Sequence, residues 1–252
     1  MKIEKIKKTG KKYKILLSDG SEIKTYDDVI LNYGLLYHKT IDIDLLNKIN
    51  NDNNYYEIYY KTVNYITKRL RSEKEINEYI DKNKVTEKDK EKLIKKLKEI
   101  NLINDVNFTR AYIADKVNLS NVGLDKLRSE LLNHNIPSDL IDSELAKVDT
   151  DLIKEKLKKL INKKVKNSKY TGYKLKFKVV NELINLGYDK DQILELYDNV
   201  SVDNTENIKN EYNKLYKKLS VKYKDKELER RIKTKLYNRG FSIDEISKVM
   251  EN

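Results

Sequence analysis

Apolar residues at Ile153, Leu157, Leu160, Ile161 and Val165 keep the three-and-four spacing that lines one face of an α-helix. Lysines occupy most of the positions between them. The same periodicity predicts helices at 55–70, 72–81 and 87–100, then 106–119, 124–133 and 139–148. Two further groups follow, at 151–167, 173–185 and 190–197, and at 205–223, 226–238 and 243–251. Residues 1–25 read differently. Short runs around Ile3 and Ile6, at 12–18 and at 21–25 surround Asp19-Gly20, a strong hairpin-turn pair. They predict a small sheet of two or three strands. Short helices are expected at 26–33 and 42–49, followed by a polar connector at 50–54.

Four segments recur along the helical part: Ile80 to Val85, Leu131 to Ile136, Leu183 to Tyr188 and Leu236 to Phe241. Their first residues lie 51, 52 and 53 positions apart, a period that marks a repeat architecture. Each segment reads as a helix end followed by a new start. The fifth position is Lys84, Asn135, Gly187 or Gly240, and Gly or Asn suits the left-handed residue that closes a helix. The sixth is apolar and turns the chain back to the core. Thr86, Asp189 and Ser242 then offer N-caps, with Asp89, Gln192 and Glu245 three residues on. In the second copy Pro137 occupies that place, which moves the expected cap to Ser138.

The predicted fold class is therefore mainly α: about four tandem three-helix repeats behind a small N-terminal β-hairpin domain. The expected divisions are 1–50 for the hairpin domain, then modules at 55–104, 105–149, 150–202 and 203–252. A single Pro and seven Gly in 252 residues leave long uninterrupted stretches, which favours helix. Hydrophobic residues at 38% and charged residues at 37% suit small units with wide solvated faces. The absence of cysteine excludes disulfides, thiolate metal sites and cysteine nucleophiles. No apolar run approaches a leader or a membrane span, so a cytoplasmic protein without membrane attachment is expected.

Charge changes the picture more. The net charge is +12, and residues 150–252 hold 25 Lys and Arg against 16 Asp and Glu. Between Lys154 and Lys178 stand eleven lysines and one acid, Glu155. Such a run points to a polyanion or an acidic protein face, although a charge run is also what an ordinary solvated face looks like.

Several short motifs resemble those of the RecX family, regulators of the RecA recombinase. Arg69-Leu70-Arg71-Ser72-Glu73-Lys74-Glu75-Ile76 is similar to that family's R-S-x-x-E-L element. Leu102-Ile103-Asn104-Asp105-Val106-Asn107-Phe108 is similar to L-I-D-D-x-x-F, and Gly123 with Leu127 and Leu131 to K-G-x-x-x-I-x-x-x-L. Asn238-Arg239-Gly240-Phe241-Ser242 resembles the R-G-F-S turn. Asn104 departs from the acidic pair, Thr109 from a usual Ala and Asn121-Val122 from a basic residue, and Tyr170-Thr171-Gly172-Tyr173 is inserted. The resemblance runs from about residue 55 onward, and the hairpin region resembles the N-terminal extension of longer members. It implies a non-enzymatic, helical regulator, expected to be monomeric, that lies along the groove of a RecA–DNA filament. Such a regulator limits filament extension, ATP turnover and strand exchange.

The candidate partner- or nucleic-acid-binding residues are Arg69, Arg71, Arg128, Lys154, Lys158, Lys163, Lys166, Lys169 and Lys174. Some of these, and their neighbours, also have a plainer reading. Arg71 either meets a partner or pairs with Glu73, Glu75 or another acid. Tyr170, Tyr173 and Phe177 either stack on bases or fill the core. Ser72 reads as a cap, Asp105 as an N-cap and Phe108 as core. The pairs Tyr55-Tyr56 and Tyr59-Tyr60 read as interhelical packing. No phosphate loop, HExxH, EF-hand or dinucleotide pattern occurs, so neither a catalytic residue nor a metal or cofactor site is assigned. Two other classes remain open: a stand-alone helical-repeat protein binding single- or double-stranded DNA, and a protein-interaction scaffold.

Overall fold

The structure, a computed structural model, describes residues 1–83, 85–200 and 205–251. Lys84 of the first recurring segment, the division expected at 202/203 and residue 252 lie outside the described residues. Among the described residues thirteen helices follow a three-stranded antiparallel sheet, and the chain forms two compact units, Met1–Phe108 and Thr109–Asn252.

In the first unit β1 (Ile3–Thr9), β2 (Lys12–Leu17) and β3 (Glu22–Tyr26) pair in chain order. Ile6 faces Ile15, and Ile15 faces Ile23. The β2–β3 turn closes with the Gly20 N–H donating to the Leu17 carbonyl at 2.9 Å, and Gly20 takes φ +83°. Three strands thus stand where the sequence allowed two or three. After α1 (Asp27–Asn32) comes α2 (Ile43–Ile66), then α3 (Glu73–Asp81) and α4 (Glu87–Glu99).

Helix α2 corrects two expectations. The helix expected at 42–49 and the one expected from 55 are one continuous helix, and the connector at 50–54 lies inside it. Asn is a poor helix former, losing roughly 0.7 kcal/mol against Ala, yet tertiary contacts override this. Ile49, Asn53 and Tyr56 keep helical spacing on the inner face, while Asn50, Asn51 and Asn54 face solvent. Asn53 Oδ1 accepts from Thr25 Oγ1 at 2.7 Å, and Asn32 Nδ2 donates to the Tyr56 hydroxyl at 3.3 Å. Residues Ile15, Leu17, Ile23, Ile49, Ile76, Ile80, Leu93 and Leu97 belong to one buried cluster. The sheet and the first helical triplet therefore share a core, with α2 as the shared wall. Tyr55 and Tyr56 are buried in it, and Tyr60 donates to Asp28 Oδ2 at 2.6 Å.

The remaining helices are α5 (Asp105–Leu119), α6 (Leu124–Asn133) and α7 (Ser138–Leu145), then α8 (Thr150–Lys166), α9 (Gly172–Asn185) and α10 (Lys190–Asp198). A last group comprises α11 (Thr205–Leu219), α12 (Asp225–Tyr237) and α13 (Ile243–Met250). The repeat anchors Ile80, Leu131, Leu183 and Leu236 are all fully buried. The described closing residues adopt the left-handed conformation, with φ of +60° at Asn135, +83° at Gly187 and +98° at Gly240. Ile136, Tyr188 and Phe241 then enter the core. Thr86, Asp189 and Ser242 cap their helices, Ser242 through a full capping box with Glu245. The second copy differs from expectation. Pro137 occupies the N-cap position and Ser138 is the first helical residue, because proline's fixed φ already suits a helix entrance.

Two joints within Thr109–Asn252 are built alike. The Gly123 N–H at the start of α6 donates to the Leu186 carbonyl at 2.7 Å, and the Asp125 N–H to the Gly187 carbonyl at 3.1 Å. At the start of α9 the Thr171 N–H donates to the Arg239 carbonyl at 2.9 Å, and Lys174 Nζ to the Asn238 carbonyl at 2.8 Å. Neither helix start has a side-chain cap. In each joint the spent end of one helix supplies carbonyls to donors at the start of another, which also opposes their dipoles favourably. The backbones approach so closely that a Cβ on Gly187 would run into the Lys126 amide, and one on Gly123 into the Gly187 carbonyl.

A buried carboxylate fastens the second triplet. Glu144 on α7 is 6% exposed and accepts from Arg110 Nε and Nη2, both at 3.0 Å, and from Lys147 Nζ at 2.7 Å. The Arg110 hydrogen bonds, and then those of Lys147, hold its carboxyl down to about 2 against the opposing effect of burial. A depressed carboxyl contributes stability that is present above its ordinary value of 4.5 and is lost as pH falls towards 2. Glu144→Gln is expected to lower the urea midpoint at pH 6 and to flatten its decline between pH 5 and 2. Equal pH dependence in the variant and the parent would remove this role.

Candidate partner-binding face

The three candidate arginines are held by acids of their own unit. Arg69 Nη2 lies 2.5 Å and Arg71 Nη1 3.2 Å from Glu75 Oε1. Burial alone would raise the Glu75 carboxyl, but hydrogen bonds from Arg69, the Ser72 amide and Arg71 outweigh it and keep it low. The Arg71 side chain is only 13% exposed, and its guanidinium lies 4.0 Å from the centre of the Tyr65 ring. Tyr65 in turn stacks on Tyr79 at 4.1 Å. Arg128 grips Asp142 with two hydrogen bonds of 2.9 Å. Arg71 thus makes the local ion pair that the sequence offered as its plainer reading, and Arg69 and Arg128 make local ion pairs that the sequence did not suggest. Arg239 of the R-G-F-S segment does likewise, pairing with the buried Glu211 of α11.

Neighbouring residues have equally local roles. Ser72 and Glu75 form the expected capping box, and Phe108 is buried. Asp105 differs from expectation. The amide of Asn107 donates to Asn104 Oδ1 at 2.9 Å, so Asn104 serves as the cap of α5. Asp105 Oδ1 instead accepts from the Glu73 amide at 3.1 Å, tying the start of α5 to the start of α3. The asparagine at 104 thus supplies a neutral cap beside an acid that reaches another helix.

The lysines are arranged otherwise. On α8, Ile153, Leu157, Ile161 and Val165 are buried, Leu160 is half-buried, and Lys154, Lys158, Lys163 and Lys166 are exposed. Lys154 lies 3.6 Å from Glu195, whereas Lys158, Lys163 and Lys166 form no ion pair with any described residue. Lys159 is likewise exposed and unpaired. Its spacing of four from Lys163 and seven from Lys166 puts all three on one strip of helix. Sequence reasoning passed over it, although the i,i+4 spacing was visible. Lys156 and Lys164 differ from these. Lys156 Nζ donates to the Val117 carbonyl, and Lys164 Nζ lies 2.5 Å from Glu182. Lys169 lies over the Tyr170 ring at 5.4 Å, and Lys174 serves the α9 joint.

Among the described residues no group of three His, Cys, Asp or Glu side chains could hold a metal ion. None of the helices in the described residues is long and apolar enough to cross a membrane.

Tandem three-helix repeats behind a small antiparallel sheet, with a lysine-rich helix face, define the class: a helical-repeat protein. Residues 202–250 match the family model described as "RecX, third three-helix domain". Over 258 aligned residues the chain is 26% identical to the "Regulatory protein RecX" of Oceanobacillus iheyensis, covering 97% of this chain and 94% of that one. The same identity holds for the protein of that name from Streptococcus agalactiae serotype III, over 99% of this chain and 98% of the relative. A solved structure titled "Crystal structure of regulatory protein RecX" superposes with a TM-score of 0.67 over 78% of this chain and 98% of its own, at 23% identity. RecX from Lactobacillus salivarius gives 0.55 over 59% of this chain and 99% of its own, also at 23%. The chain is thus similar to RecX proteins over nearly its whole length, and its last described triplet matches a RecX domain model.

Proposed function

We propose that this chain modulates a RecA-type recombinase. It binds along the recombinase–DNA filament in the cytoplasm and limits filament extension, ATP turnover and strand exchange. It acts as a monomer and by occupancy: successive three-helix modules, divided near 104/105, 149/150 and 202/203, meet successive protomers while basic side chains approach DNA phosphates. The observation that carries this reading is the row of lysines on α8, of which Lys158, Lys159, Lys163 and Lys166 form no ion pair with any described residue, with Glu155 the one acid between Lys154 and Lys166 in the sequence. The likeness to relatives named as RecX regulatory proteins supports the regulatory role to which that strip is fitted.

The test mixes the purified chain with a RecA-type recombinase, single-stranded DNA and ATP. Co-sedimentation with the filament and a fall in DNA-dependent ATP hydrolysis are expected. The chain itself is expected to hydrolyse no ATP and cleave no DNA. Binding to naked DNA with no effect on the recombinase would replace this reading by that of a stand-alone nucleic-acid-binding protein.

A further inference from the structure

Helix α9 exposes two large aromatic side chains beside each other. Tyr173 is 77% and Phe177 59% exposed, with ring centres 6.0 Å apart and planes 30° from parallel. They are one i,i+4 step apart, on the side away from Leu175, Val179 and Leu183, which fill the core. An exposed ring pair of this size loses apolar burial for no gain in folding. Its surroundings are cationic. Lys174 and Lys178 follow the two rings by one residue each and form their own i,i+4 row along the same helix. No acidic residue stands between Glu155 and Glu182 in the sequence, and Glu182 itself lies 2.5 Å from Lys164 and 3.7 Å from Lys178. Lys178 also lies 4.9 Å from the centre of the Tyr170 ring.

The platform is held still. Thr171, immediately before α9, is 1% exposed and its amide is tied to the Arg239 carbonyl. Gly172 adopts φ +54°, and a Cβ there would lie only 3.2 Å from the Gly240 carbonyl oxygen. Lys174 is bound to the Asn238 carbonyl. The helix end that carries the rings is thus fixed before any ligand arrives, which reduces the ordering lost on binding.

We propose that Tyr173 and Phe177 are a base-stacking platform for single-stranded DNA, with Lys174 and Lys178 taking the adjoining phosphates. Flat apolar faces beside a row of cations complement a strand that presents unpaired bases and phosphates together. A duplex offers its phosphates but keeps its bases stacked inside, so it engages only half of the arrangement. An acidic protein surface would complement the lysines but not two open rings. The inference rests on the DNA-facing part of the function proposed above, and it names the residues and the strand form.

The experiment uses the whole chain, a fluorescein-labelled 20-nucleotide oligo(dT) and a duplex of equal length, without recombinase. The Tyr173→Ala/Phe177→Ala double variant is expected to keep its helical circular dichroism and to bind oligo(dT) about tenfold or more weakly, the scale of losing one or two base stacks. Its duplex affinity and the salt dependence of both are expected to stay unchanged. Lys174→Gln/Lys178→Gln is expected to do the reverse, flattening the salt dependence for both forms. A Tyr173→Trp variant reads stacking directly, as fluorescence quenching by oligo(dT) but not by duplex. Unchanged oligo(dT) binding by the double alanine variant, or absence of binding by the parent chain, overturns the platform. If the double variant binds oligo(dT) normally while the parent chain still restrains the recombinase, the platform falls and the regulatory reading stands. If ring-dependent oligo(dT) binding occurs without any effect on the recombinase, the opposite holds.

Discussion

Gly187→Ala is expected to destabilise the Thr109–Asn252 unit by roughly 2–5 kcal/mol, adding left-handed strain to steric overlap. Gly187 sits at φ +83°, where a Cβ is disfavoured in any surroundings. Here the added methyl would also meet the amide and Cβ of Lys126, so the α6 start would have to move away. That movement would stretch the bonds from the Gly123 and Asp125 amides. Gly20 provides the control. It has the same φ of +83°, but a Cβ there finds nothing within 4 Å, so Gly20→Ala is expected to lose only about 1–2 kcal/mol. Urea unfolding followed by circular dichroism compares the two. Equal losses would mean that the close backbone approach at the joint contributes nothing.

The second large effect concerns binding. Changing Lys154, Lys158, Lys163 and Lys166 together to Gln is expected to leave the fold intact, because all four are exposed and the buried stripe of α8 is untouched. Affinity for single-stranded DNA, or for a DNA-bound recombinase filament, should fall about tenfold or more at ~0.15 M salt. The salt dependence should flatten as well, since each phosphate left unneutralised removes about 0.7 from the slope of log K against log salt. Fluorescence anisotropy across a salt series measures both. A folded quadruple variant with unchanged affinity and slope would mark the strip as merely solvated. Lys159 sharpens the test, because adding Lys159→Gln should deepen the loss if the strip acts as one surface.

Much of this architecture was legible because the repeats announce themselves through local chemistry. A left-handed closing residue, a buried residue after it and a cap for the next helix are decided within a few positions, and Gly187-Tyr188-Asp189 states all three. The run 50–54 was not legible. Five polar residues with weak helix propensity look like a linker until Thr25 and Asp28, far away in sequence, supply partners for Asn53 and Tyr60. The same limit applies to the arginines. The i,i+4 spacing offered Glu75 to Arg71 as one of several partners, but Arg128 looks like any free basic residue until the fold brings it against Asp142. Asn104 took the cap expected of Asp105 for a related reason, since either can cap and only the position of the Glu73 amide separates them. On α8 a simple helical wheel was enough to sort buried from exposed, because its stripe is regular and its lysines dominate the other face.

The joints at Gly123–Gly187 and Thr171–Arg239 are made chiefly of main chain. A fastening of that kind ignores side-chain identity except where it demands the smallest one. Spacing and charge are thereby written in separate alphabets: glycine and backbone carbonyls set the pitch of the array, and lysine or its absence sets what the array attracts. A designer could rewrite the exposed face of α8 for a different polyanion, or for none, and keep the ruler on which it is mounted.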